Sequence, residues 1–198
     1  MEAIEAMETC RAIRHLKSDP VPDPLVERVV YAATRAPSPG NSQGWDFVVV
    51  RDPATKARIR DLIAEPMSRV RSALAPPTDS EQRRMQAGAD HLIGSLDQVP
   101  VLIFVCGAPC YPPQAPMEQF VWSALYPATQ NLLVAARSLG LGGTLTTFHL
   151  LAQAEIRKLL GIPDEVRIAA MVPLGWPERA FGPVRRKPVS EVLHWERW

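Results

Sequence analysis

Four short stretches of this 198-residue chain carry side chains able to do chemistry. Near the start, Cys10-Arg11-Ala12-Ile13-Arg14 sets two guanidinium groups three residues apart. Ile4, Met7, Arg11 and Arg14 recur at helical spacing, which predicts one helix with both arginines on a single face at its end. Guanidinium forks fit phosphate oxygens two at a time and stay charged at any physiological pH. A solvated helix end whose arginines answer the C-terminal dipole accounts for the same residues. The second stretch, Ala36-Pro37-Ser38-Pro39-Gly40-Asn41-Ser42-Gln43-Gly44-Trp45, crowds hydroxyl and amide groups onto a proline-stiffened loop ahead of a tryptophan anchor. Such a loop can read the carbonyl and imide edge of a planar heterocycle, or can simply join a helix to a strand.

The third stretch, Gly140-Leu141-Gly142-Gly143-Thr144-Leu145-Thr146-Thr147, is not a dinucleotide fingerprint, because Leu145 stands where the third glycine belongs. A helix cap followed by an edge strand explains its glycines without a ligand. The fourth, Arg185-Arg186-Lys187-Pro188, is either an anion grip or a solvated cationic surface. Cys106 and Cys110 lie four apart, but no second Cys/His pair follows at zinc spacing, so the set reads as structural. His15, His91, His149 and His194 have no evident nucleophile or carboxylate partner in the sequence, and no acid–base residue is assigned.

The background is ordinary. Hydrophobic residues make up 46% of the chain, and 22 Lys plus Arg offset 21 Asp plus Glu to leave a net charge of +1. No overall field exists to recruit nucleic acid or an anionic membrane, so any functional cation must act locally. The longest apolar runs fall short of a bilayer, and Met1-Glu2-Ala3-Ile4-Glu5 lacks the basic start of a signal peptide. Three cysteines suggest no disulfide framework, and a cytoplasmic location is expected.

Periodicity and punctuation supply the elements that must hold these stretches. A second helix begins at Asp23-Pro24 and repeats Val26, Val29, Val30 and Ala33 before the Pro37–Asn41 loop ends it. Phe47–Val50 predicts a buried strand, and Asp52-Pro53 opens a helix through Ile59 and Ile63 toward Val70. Residues 75–79 predict an irregular, mobile connection. Thr78 with Glu81 forms a capping box for a helix that turns Met85, Ala89, Leu92, Ile93 and Leu96 inward. Val101–Cys106 is a second buried strand, and Met117–Leu139 a long helix bent at Pro127. Thr144–Thr147 suits a short strand, Leu151–Leu160 a helix, and Arg167–Leu174 a third strong strand. The tail carries Trp195 and Trp198 and is too apolar to dangle in water. Strands and helices do not alternate one for one, so an α+β sheet with helices on both faces is expected rather than a simple doubly wound fold.

In this order, the four stretches resemble the nitroreductase family of flavin mononucleotide (FMN) enzymes over nearly the whole chain. Cys10–Arg14 matches the family's Arg-Arg-Ser-Ile-Arg pattern, and Ala36–Trp45 its Ala-Pro-Ser loop into Asn-Ser-Gln-Pro-Trp. Arg137–Thr147 matches its Gly-Leu-Gly helix end and flavin-contacting strand; Pro173–Pro177 and Arg186-Lys187-Pro188 match its closing elements. Cys10, Ala12 and Gly44 depart from the pattern and mark a divergent branch. The resemblance implies one domain over residues 1–198, a mixed sheet flanked by helices, and a domain-swapped homodimer with two FMN sites at its interface. The tail from about residue 182 would wrap the partner subunit.

The same resemblance assigns roles. Arg11 and Arg186 would grip the flavin phosphate, Ala12 would contribute backbone, and Arg14 would lie toward the N1–C2 edge. Pro37, Ser38, Pro39 and Asn41 would come from the partner subunit to cover the ring. Leu145, Thr146 and Thr147 would place a backbone N–H or hydroxyl near N5. The activity implied is hydride transfer from NADPH or NADH to nitroaromatic or quinone acceptors in ping-pong turnover. Reductive dehalogenation, flavin breakdown and flavin storage are the competing readings.

Overall fold

Two strands of almost wholly buried residues, β2 (Val101–Gly107) and β4 (Arg167–Gly175), form the centre of the molecule. β1 (Trp45–Val50) pairs with β2, and β3 (Gly142–Gly143) with β4, giving the order β1-β2-β4-β3. In the computed structural model, which describes residues 1–198, every pairing is antiparallel, where the resemblance implies a mixed sheet. The connections explain this. Two helices, α3 (Pro53–Ala73) and α4 (Ser80–Gly94), lead from β1 to β2, so the chain re-enters the sheet reversed. A 3-10 segment (Phe148–Ala152) and α6 (Gln153–Leu160) do the same between β3 and β4. Only α5 (Glu118–Ser138) crosses alone, from β2 to β3, and those two strands are not neighbours.

Alternation along β2 divides the interior into two cores. Val101, Ile103 and Val105 face α5 and α2 (Asp23–Ala33), while Leu102, Phe104 and Cys106 face the side of α3, α4 and α6. In β4 both Ala169 and Ala170 turn to the first core, because the register with β2 shifts between Val105 and Cys106. Helices thus cover both faces, as expected. Full burial of a side chain such as Phe104 contributes roughly 1.5–3 kcal/mol.

Several local expectations change. Helix α1 is only Ala3–Thr9, so Arg11 and Arg14 lie on no helical face. β1 is an edge strand and leaves Val49 exposed rather than buried. The cap of α4 is Asp79, whose carboxylate accepts from the N–H groups of Glu81 and Gln82 at 2.8 Å; Thr78 instead hydrogen-bonds Gln82. Met85 is exposed, because only the second half of α4 reaches the core through Leu92 and Ile93. Helix α5 runs from Glu118 to Ser138 with Pro127 inside it, as expected. The strand expected at Thr144–Thr147 begins two residues earlier, at the glycines, with Thr146 making an isolated bridge to Met171. No helix is long and apolar enough to cross a membrane.

Candidate functional site

Backbone pairing, not a helix, brings the first and fourth stretches together. The Thr9 hydroxyl donates back to the Glu5 carbonyl at 2.7 Å where α1 ends, and the chain then runs extended. The Ile13 N–H donates to the Gly143 carbonyl at 3.0 Å, fixing this segment to the edge of the sheet. On its other side it meets the C-terminal chain. The Lys17 N–H donates to the Trp176 carbonyl (2.8 Å), the Glu178 N–H to His15 (3.1 Å), and the Val184 N–H to Glu8 (2.8 Å). Residues 8–17 and 176–184 therefore run antiparallel, and Arg185 and Arg186 emerge beside Arg11. Arg137 of α5 locks the pair: its Nε donates to Thr9 Oγ1 at 2.8 Å, and its guanidinium stacks 4.0 Å from the Phe181 ring centroid.

The result is an open cleft of about 640 Å³. One wall holds Arg11, Ala12, Arg14 and residues 183–186; the other is the first half of α4, with Glu81, Arg84 and Met85. The ion pairs of the chain engage other residues, so all five of these guanidiniums lack a carboxylate partner. Arg14 is half-buried and rests on α4 at Gly88, where an added Cβ would lie 3.3 Å from its Cδ. Burial pushes its guanidinium below the usual arginine range, yet an arginine remains charged. Next to it, His15 stacks on His91 of α4 with ring centroids 4.0 Å apart. Burial and the neighbouring imidazole both lower the pKa of His15. This arrangement can hold a phosphate ester and a flat polar group against cations at several points.

The structure thus brings Arg11, Ala12, Arg14 and Arg186 together. It does not bring the second stretch to them. Pro37, Ser38, Pro39 and Asn41 lie outside the cleft, in a loop with a 3-10 turn at Pro39–Asn41. Gly40 has φ 60°, and a side chain there would strike the Tyr111 ring. The Ser38 hydroxyl accepts the Gln43 N–H at 3.0 Å, so part of the polarity of the loop is spent on itself. Pro37 and Asn41 are exposed, and Trp45 packs on the first core as the expected anchor.

In the third stretch the strand alternation sorts the candidates. Thr146 is buried, and its N–H and hydroxyl both donate to the Met171 carbonyl, at 3.1 and 2.7 Å. It has no donor left for a ligand, which corrects its assignment. Leu145 and Thr147 on either side are exposed. His149 is a core residue: Nε2 lies 3.1 Å from the Ile168 carbonyl, and burial lowers its pKa. Sequence reasoning missed Arg84 and Glu81, because charges on the exposed half of an amphipathic helix look like solvated surface. The four-residue step from Arg84 to Gly88 was the available signal.

The model described as Nitroreductase family matches residues 8–176. Iodotyrosine deiodinase 1 of Rattus norvegicus is 29% identical over 202 residues, covering 97% of this chain and 68% of that protein. An NADH dehydrogenase of Thermus thermophilus is 27% identical over 206 residues, covering 93% of this chain and 91% of its own. Among solved structures, oxidized iodotyrosine deiodinase bound to FMN and 3-iodo-L-tyrosine superposes with a TM-score of 0.80 at 20% identity, over 100% of both chains. A family match over residues 8–176, most of the chain, means that this protein belongs to the nitroreductase family.

Proposed function

We propose that the protein is an FMN-dependent oxidoreductase that takes hydride from NADPH or NADH and passes it to a small organic acceptor of the nitroaromatic or quinone type. The observation that carries this reading is the cleft, with five guanidiniums and no carboxylate paired to any of them. A flavin mononucleotide phosphate, with a charge of about −1.5 to −2 at neutral pH, fits that surplus. Arg11 and Arg186 hold the phosphate from the two chain ends, with the backbone at Ala12 between them. Arg14, fixed by Gly88, faces the N1–C2 edge and stabilises the negative charge that reduction adds. Leu145 or Thr147 offers the N5 contact. Bound FMN supplies the hydride chemistry itself; the protein orients it and leaves one face open.

Pro37, Ser38, Pro39 and Asn41 act on the flavin of a partner subunit, and the tail from about residue 182 reaches across the same interface. Val189, Val192, Trp195 and Trp198 are all exposed in the single chain, which supports a second copy as their cover. A cytoplasmic enzyme fits three unpaired cysteines.

A second reading, reductive dehalogenation, is favoured by the likeness to iodotyrosine deiodinase. Against it, Pro66 to Ser80 carries no recognisable substrate lid and is largely the end of α3. The test begins with purified protein, which should be yellow and release FMN on denaturation. It should then oxidise NADPH or NADH with a quinone. Protein that is colourless and takes up no added FMN would refute the flavin reading. Deiodination of 3-iodotyrosine under dithionite, without quinone turnover, would select the second. Flavin uptake with neither turnover would mean storage.

A further inference from the structure

Resting on the FMN reading, we infer that Arg84, with Arg185, forms a second anion subsite in the cleft that selects a nicotinamide donor carrying a 2′-phosphate. The cleft holds five arginines against one carboxylate, Glu81, and that carboxylate is paired with none of them. Bound FMN answers Arg11 and Arg186 with its phosphate and Arg14 with its N1–C2 edge. Two cations remain.

Their placement separates them from the first group. Arg84 comes from α4, the opposite wall from Arg11. It stands one helical turn before Gly88, the residue on which Arg14 rests, so its side chain lies further along the same helix face. Arg185 precedes Arg186 directly in the chain and lines the same cleft. Both are exposed, and neither forms an ion pair. No carboxylate of the chain pairs with either, which leaves both free to meet an incoming anion.

The charge of that ligand follows. In the pyrophosphate of either nicotinamide dinucleotide each phosphorus has one ester and one anhydride link and carries a single negative charge. The 2′-phosphate of NADPH is a monoester, with a charge of about −1.5 to −2 and three acceptor oxygens. Two guanidinium forks match the monoester in both charge and geometry.

NADP⁺ and NAD⁺, which differ only in that phosphate, are titrated calorimetrically into FMN-loaded protein, and FMN affinity is measured separately by fluorescence. The wild type should bind NADP⁺ about tenfold more tightly or better, the worth of one charge-assisted contact. Arg84→Ala should erase that difference and Arg84→Lys keep part of it, with FMN affinity unchanged in both. Equal binding of the two dinucleotides by the wild type, or a preference that survives Arg84→Ala, would overturn the inference. A fall in FMN affinity in Arg84→Ala would overturn it too, by assigning Arg84 to the flavin phosphate. If the protein binds no FMN at all, the underlying reading fails first, and the flavin titration alone shows this.

Discussion

The arginine cleft and the Pro37–Gln43 loop are built by opposite means. The cleft is assembled from the two ends of one chain, held by the ladder between residues 8–17 and 176–184, and its charges are left unanswered. The loop is local and self-contained: its turn, its left-handed residues at Gly40, Asn41 and Gln43, and the Ser38–Gln43 bond all arise within a few positions. One region is unfinished in charge, the other unfinished in place, since its exposed groups face no site in the protomer. On the proposed reading, a ligand would complete the first and a second subunit the second.

The largest expected effect tests where the anchoring energy lies. Arg11→Ala with Arg186→Ala removes two charge-assisted contacts, and FMN affinity should fall roughly a hundredfold or more by fluorescence titration. Asn41→Ala, a neutral contact from the loop, should cost no more than about tenfold. The reverse order would make the loop the main anchor and undo the contrast.

A smaller effect probes the rigidity of the loop. An added Cβ at Gly44 would sit 2.4 Å from Cys110 Sγ and 3.2 Å from the Ala108 carbonyl. Gly44→Ala should lower stability by about 1–3 kcal/mol in thermal or denaturant melts, and Cys110→Ala in the same chain should recover part of the loss. A single variant as stable as the parent would mean that the loop yields easily. This contact also gives a physical reason for glycine where the family pattern has proline: Cys110 occupies the space.

The smallest effect concerns tuning. Arg14→Ala should lower the flavin reduction potential by about 20 mV, from about 1 kcal/mol of lost charge stabilisation, and Arg14→Lys by less. An unchanged potential with lowered stability would reduce Arg14 to packing against Gly88.

Much of this was legible in the sequence, and what was missed has physical causes. The inner strands and helices α2, α3 and α5 announce themselves because burial imposes a clear pattern on long runs such as Val101–Cys106. Arg11, Arg14 and Arg186 were legible through motif order, but their means of assembly was not. The helical spacing of Ile4, Met7, Arg11 and Arg14 is a coincidence, since Ile4 and Met7 are exposed and the chain leaves the helix at Thr9 for pairings with residues far away in sequence. Thr146 looked free because the hydroxyl of a strand threonine can face either side, and only the bridge to Met171 decides. Arg84 was invisible because nothing local distinguishes a waiting charge from a solvated one.

The ladder between the chain ends also constrains the order in which this protein can form. Arg137 bonds Thr9 across 128 residues, and Trp176 bonds Pro20 across 156. Such contacts carry the largest loop-closure cost and come late in folding. During synthesis, Arg11 and Arg14 emerge first but wait for nearly the entire chain before their counterparts at 185 and 186 exist. On the proposed reading, flavin capture would therefore report on completeness: a nascent or truncated chain has half a cleft, and only a finished one presents both ends of it.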